Sequence, residues 1–412
     1  MPSYKALDKL FYEDRSANRQ VHNEAQARLR LESPSTFRTG IMLETGELFF
    51  AMPQELTLLN ERALRVERKV SLLWNALPGI AQWSYIRSLI MDEIVSSNEI
   101  EGVHSTRRQI EEALKNVESS NPSKKEKQFQ EFAQLYLGLM DKNIGYPEKP
   151  EDIRLIFDAV TNGQLAKNYI PDGELFRKGP VDVESSTQKI LHTGVLPERK
   201  IIDLLQQMIE MVQSKDIPPT FSALLSHFLF EYIHPFYDGN GRTGRYLLAL
   251  ALSIPLSQVT VFSLSKVIAE NKNKYYKAFD VTENPLNHAE GTVFIIEMMK
   301  LIRLAQDMQI EDISQKQELL DEADKMTSKL GEPPYSLSAK SRDILYQAVQ
   351  YHLFSAFPEV SLIHIAKYIE AGSQTARKYT LELQEKELLT AVSLKPLQFV
   401  LTDKAQKLLG LK

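Results

Sequence analysis

Between His234 and Arg245 the chain reads HPFYDGNGRTGR, a run in which small, cationic and acidic residues are packed tightly enough to grip an anion. Gly239-Asn240-Gly241 falls where a helix should begin, so its backbone N–H groups would point outward at the positive end of the helix dipole and suit phosphate oxygens. Arg242 and Arg245 are three residues apart, share a helix face, and can each fork onto phosphate. Asp238 is a carboxylate available to a hard divalent ion such as Mg2+. The helix before the loop is expected to run from Pro218-Pro219 to Ile233, because Pro235 pushes its predecessor out of the helical region and leaves His234 at the exit.

Gly239-x-Gly-x-x-Gly244 also satisfies the dinucleotide fingerprint. That fingerprint needs a strand before it and a parallel βαβ unit around it, and here the preceding residues are helical in pattern. The same segment resembles the Fic family motif HxFx[D/E]GNGRxxR at every defined position, and the resemblance spans about Leu89 to Leu301. It implies a helical enzyme core that moves AMP from ATP to a Ser, Thr or Tyr hydroxyl of a protein. His234 is then the general base, since a neutral imidazole near pH 7 can accept the hydroxyl proton. Phe236 is the buried anchor of the loop and Asp238 the Mg2+ ligand. Gly239, Asn240, Gly241, Arg242, Gly244 and Arg245 form the ATP-binding set. Related phosphotransferases carry a lysine where Gly241 stands, so attack on the α-phosphate with pyrophosphate leaving is expected.

Three outlying segments extend the resemblance. Ser97-Asn98-Glu99-Ile100-Glu101-Gly102 is similar to the family's inhibitory motif [S/T]xxxE[G/N]; Ser97 and Glu101 share one helix face and Gly102 can end the helix. A carboxylate paired with Arg245 would neutralise the charge that should grip the γ-phosphate. The stretch from Gly173 to Val183 resembles the family's β-hairpin flap, with Gly179-Pro180 as its turn; Gly173, Leu175, Phe176, Arg177, Val181 and Val183 are expected to dock the target segment by strand addition. Tyr276, of the pair Tyr275-Tyr276, is similar to an aromatic that lies near the nucleoside.

The elements that must hold these residues are mainly helical. Apolar spacings of three and four mark Glu55 to Leu77, Ser84 to Glu101, Lys125 to Met140 and Ile201 to Val212, and strand signals are confined to Gly173–Val183 and Leu394–Leu401. The expected fold is mainly α, a Fic-type core with a small hairpin flap plus a carboxy-terminal winged helix. Its divisions are 1–115 with the inhibitory helix, 116–310 for the catalytic core, 311–334 for an acidic linker, and 335–412 for the winged helix. The linker carries seven acidic and three basic residues and ends Gly331-Glu332-Pro333-Pro334, which sets the boundary near Pro334. Beyond it, Ser341–His352, Ser361–Glu370 and Ser373–Leu389 read as helices before a β pair around Lys395-Pro396. Gln374, Thr375, Arg377 and Lys378 at the start of the third helix could meet DNA or a protein partner.

The 412 residues contain no cysteine, which excludes disulfides and thiolate chemistry and suits a reducing compartment. The net charge of -5 argues against coating nucleic acid or membrane by bulk charge. Tyr246–Ile254, the longest apolar run, is far below the roughly 20 residues of a membrane span. A cytoplasmic location without membrane contact is expected, and family resemblance implies a homodimer. Two alternatives follow from the same residues: a DNA-binding regulator with a nucleotide-sensing core, and an enzyme that removes AMP from a modified protein.

Overall fold

The computed structural model describes residues 4–118, 129–140, 144–162, 164–184 and 190–412. Helices dominate, as periodicity requires. In chain order, α1 (Leu7–Glu13) and α2 (Arg19–Leu31) precede the hairpin β1 (Thr36–Leu43) and β2 (Gly46–Ala51), followed by α3 (Gln54–Ala76), α4 (Gly79–Ile100), α5 (Arg107–Glu118), α6 (Gln130–Met140) and α7 (Pro150–Thr161). The short strands β3 (Asp182–Glu184) and β4 (Ile190–Thr193) then lead to α8 (Glu198–Gln213), α9 (Pro219–Ile233) and α10 (Asn240–Leu252). The helices α11 (Gln258–Val261), α12 (Leu264–Glu270), α13 (Lys272–Glu283) and the 38-residue α14 (Thr292–Lys329) follow. Among the described residues no helix is long and apolar enough to cross a membrane.

The chain divides into two compact units, one formed by Met1–Arg68 with Met91–Gln306, the other by Lys69–Ile90 with Asp307–Lys412. The first is built around α9 and α10, whose residues are almost all buried. Pro219 opens α9, whose last residue, Ile233, is followed by His234 in the left-handed region (φ 50°, ψ 60°) just before Pro235. Gly239, at φ 82°, precedes α10, a conformation that favours glycine. Helices α8 and α10 both pack on α9. The hairpin β1–β2 went unread in the sequence because its alternation is interrupted: the register shifts between Arg38 and Met42, and Gly40 and Gly46 adopt positive φ. It is held at the start of α14, where Ala51 N–H donates to Thr292 Oγ1 at 2.9 Å.

In the second unit, α15 (Ala339–Phe354), β5 (Val360–Ser361), α16 (Leu362–Tyr368), α17 (Ser373–Glu385), β6 (Leu389–Leu394), β7 (Leu397–Leu401) and α18 (Asp403–Leu408) follow the expected order of three helices and a β pair. The pair turns at Lys395-Pro396, and β7 lies between β5 and β6. Ile344, Leu345, Ile365, Leu383 and Phe399 make its core. Gln374, Thr375, Arg377 and Lys378 are exposed on the first turns of α17.

Two boundaries differ from expectation. The compact division falls after Gln306, inside α14, and not near Pro334: the acidic stretch continues α14 without a break to Lys329 and buries Ile313, Leu320 and Ala323 in the second unit. The helix expected over Lys125–Met140 is seen from Gln130, and residues 125–128 lie outside the described ones.

Candidate active site

The loop from His234 to Gly239 is shaped by an aromatic anchor and an amide brace. Phe236 is fully buried, with its ring stacked on Phe157 at a centroid distance of 3.6 Å and tilted against Phe176 at 5.4 Å. Asn240 Oδ1 accepts from Phe236 N–H at 3.0 Å while its Nδ2 donates to Phe236 O at 2.8 Å. Both ends of this buried amide are engaged with the loop, so the Asn240 side chain serves here as a loop brace. Gly244 lies within α10 against α9, where an added Cβ would meet Glu231 Oε1 at 2.3 Å and Phe230 at 2.9 Å. Gly239 sits close against α7; a Cβ there would lie 2.6 Å from Thr161.

His234 faces Glu231 twice, with Nδ1 at 3.2 Å from the Glu231 carbonyl oxygen and 3.9 Å from its carboxylate. A carbonyl can only accept, so the neutral ring carries its proton on Nδ1 and leaves Nε2 as a proton acceptor. Burial pushes the imidazole pKa down to about 4, which keeps it neutral at pH 7. Glu231 is pushed up to about 8 by burial, with Glu101 adding to the effect.

Arg245 is buried under the end of α4. Its Nε donates to Ser97 Oγ at 3.0 Å, Nη2 donates to Ser97 O at 2.9 Å, and Nη2 lies 2.9 Å from Glu101 Oε1. Helix α4 stops at Ile100 and Gly102 takes φ 71°, the left-handed ending anticipated from the sequence. The Glu101 carboxylate also covers the start of α10: a Cβ on Gly241 would fall 2.2 Å from Glu101 Oε1. The positive end of α10 thus has an anion on it.

Arg242 Nη1 donates to Gln164 Oε1 at 2.6 Å, while its Nε is buried without a partner among the described residues. Such an orphaned donor beside a helix start fits an anionic ligand. Asp238 is exposed, accepts from Gly239 N–H at 2.5 Å, and lies 3.9 Å from Arg242 Nη2. Among the described residues no cluster of three or more His, Cys, Asp or Glu could hold a metal. A single carboxylate beside a phosphate cradle fits Mg2+ that takes its remaining oxygens from a nucleotide and water.

The flap differs most from expectation. Residues 173–181 are irregular; only Asp182 and Val183 of the expected hairpin are in a strand, with Glu184, and they pair with β4, so Gly179-Pro180 does not join the paired strands; residues 185–189 lie outside the described ones. Phe176 and Arg177 are fully buried and cannot dock a target. Gly173 N–H donates to Phe176 O in a tight turn, and the Glu198 carboxylate accepts from Leu175 and Phe176 N–H, so this stretch curls inward where strand alternation was expected. Leu175 and Val181 are partly exposed. Tyr276 is 42% exposed, next to buried Tyr275, and its hydroxyl is pushed up to about 12 by burial and then by Glu101, which puts it at the rim of the same site.

Sequence reasoning missed Tyr237, Gln164 and Glu231. Tyr237 Oη donates to Asp172 Oδ1 at 2.9 Å and accepts from Gly179 N–H at 2.8 Å, tying the His234–Gly239 loop to the irregular segment. Only Glu231 had a legible signal, its spacing of three from His234.

Residues 149–252 match the Fic/DOC family. A probable protein adenylyltransferase of Aquifex aeolicus (strain VF5) is 31% identical over 104 residues, 25% of this chain and 28% of that protein. The protein adenylyltransferase Fic of Drosophila mojavensis is 30% identical over 91 residues, 22% of this chain and 15% of that protein. The matched stretches therefore span less than a third of these relatives. A Fic family protein from Desulfovibrio desulfuricans G20 superimposes with a TM-score of 0.51 at 17% identity, covering 86% of this chain and 98% of that one. At that identity the likeness is one of fold.

Proposed function

The chain carries a Fic/DOC family domain over residues 149–252, and from that premise we propose that it transfers AMP from ATP to a Ser, Thr or Tyr hydroxyl of a protein, itself included, with Glu101 holding the activity low. One observation carries the reading: the Glu101 carboxylate sits 2.9 Å from Arg245 and over Gly241, at the helix start that would otherwise receive phosphate. A carboxylate there imitates the anion it excludes.

In the transfer, the target hydroxyl oxygen bonds to the α-phosphorus as the bond to the β-phosphate breaks. The hydroxyl proton passes to His234 Nε2, and pyrophosphate leaves. Backbone N–H groups at the start of α10, with Arg242 and Arg245, neutralise charge that grows on the phosphates. The imidazole, neutral but weakly basic in its buried setting, gains basicity from the negative charge of a bound polyphosphate. Mg2+ held at Asp238 would polarise the phosphate oxygens.

The test compares wild type with E101G, each given ATP labelled on the α-phosphate. Self-labelling should rise on the order of tenfold or more in E101G and vanish in E101G/H234A. Equal labelling by wild type and E101G would remove the inhibitory role; no labelling by either, with target lysate present, would remove the adenylyl reading.

A further inference from the structure

The guanidinium of Arg177 is fully buried immediately behind His234. Its Nε donates to His234 O at 2.8 Å, Nη1 to Gly179 O at 2.8 Å, and Nη2 to Val195 O at 3.0 Å and Ile233 O at 3.3 Å. All four acceptors are peptide carbonyls, and the Arg177 backbone N–H donates to a fifth, Pro235 O, at 3.2 Å. Two of the side-chain acceptors, His234 and Ile233, are at the C-terminal end of α9, where carbonyls lose their helical partners and the dipole is negative. The same residues include the one forced into the left-handed region at φ 50°.

We propose that Arg177 is a positioning residue for His234: braced on these carbonyls, its guanidinium fixes the left-handed exit of α9 and sets a buried positive charge behind the imidazole. Lysine cannot replace it, because one ammonium does not reach carbonyls spread across three segments. The charged and titratable groups that face the ring are Glu231 on α9, Arg177 from the irregular segment, Glu101 at the end of α4 and His192 on β4. The Glu231 carbonyl and the Glu101 carboxylate favour the imidazolium; Arg177 opposes them, as burial does.

The kinetic part of the test rests on the adenylyl-transfer reading and uses E101G as parent. R177K should lower kcat about tenfold or more with the KM for ATP within about twofold, since the base is displaced while the phosphate cradle is intact. A folded R177K with parental kcat overturns the positioning role. Independently of any activity, NMR titration of the His234 ring, assigned by difference from H234Q, reads the electrostatic role in full-length wild type, R177M and R177K. The ring should titrate at higher pH in R177M and stay low in R177K. An unchanged His234 titration in folded R177M overturns that role, and failure of R177M to fold leaves R177K, where a rise to the ordinary histidine range would do the same. If E101G itself transfers no label, the functional reading fails while the titration still decides the role of Arg177.

Discussion

Asn240 closes the His234–Gly239 loop on itself, its amide bridging both backbone groups of Phe236. Truncating it would leave a buried N–H and C=O without partners, which costs about 1–3 kcal/mol each way such a group is orphaned. N240A should therefore lower the thermal midpoint and slow transfer together, whereas a pure phosphate ligand would slow transfer at unchanged stability; calorimetry alongside the labelling assay separates the two. His234, Glu101 and Arg245 could be picked out in the sequence because their chemistry is carried by the side chain and their spacing is fixed by a loop and a helix. Tyr237, and the bracing role of Arg177 in place of the target docking expected of it, could not be, since their partners are mostly backbone groups tens of residues away, and peptide groups leave no mark in a residue pattern.

The helix α9 is the element on which the titrating groups meet. Its His227 is fully buried with Nε2 at 2.7 Å from Tyr275 Oη, and burial, with Arg245 nearby, pushes the ring down to about 3. An unfolded histidine titrates near about 6.5. Between those values the unfolded chain binds the extra proton, so the contribution of His227 to stability is complete above pH 6.5 and is lost as pH falls. Glu231, pushed up, works in the opposite sense and loses its contribution as pH rises toward about 8. Relative to H227Q, wild type should thus lose about 1.4 kcal/mol per pH unit between pH 6 and 4 in urea unfolding; parallel stability profiles for the two proteins would contradict the burial account. Helices were legible in the sequence at this scale because their apolar period repeats over many turns, as in α3 and α8. Apart from the β pair at Lys395-Pro396, strands were not: β1 and β2 are broken by a register shift, and the inward curl of Leu175-Phe176-Arg177 imitates a half-buried strand over three residues only.

Across the whole molecule, the proposed resting state depends on one arrangement: the start of α10 under the Glu101 carboxylate, Arg245 paired with it, and a neutral imidazole on the preceding loop. The order of elements in the carboxy-terminal unit could be read from its turn residues and periodicity. The division of the chain could not, because the boundary lies inside the unbroken helix α14 and because residues 69–90, distant in sequence, belong with the carboxy-terminal unit. Contact between sequence-distant segments leaves no local signature. The central claim, that this cradle directs attack to the α-phosphate with His234 as base, is met most directly by incubating E101G in parallel with ATP labelled on the α- or the γ-phosphate, beside E101G/H234A. The account predicts that label from the α-phosphate stays on protein, that label from the γ-phosphate leaves in pyrophosphate, and that neither is retained without His234. Protein-bound γ-label, or α-label undiminished in the double variant, would contradict it.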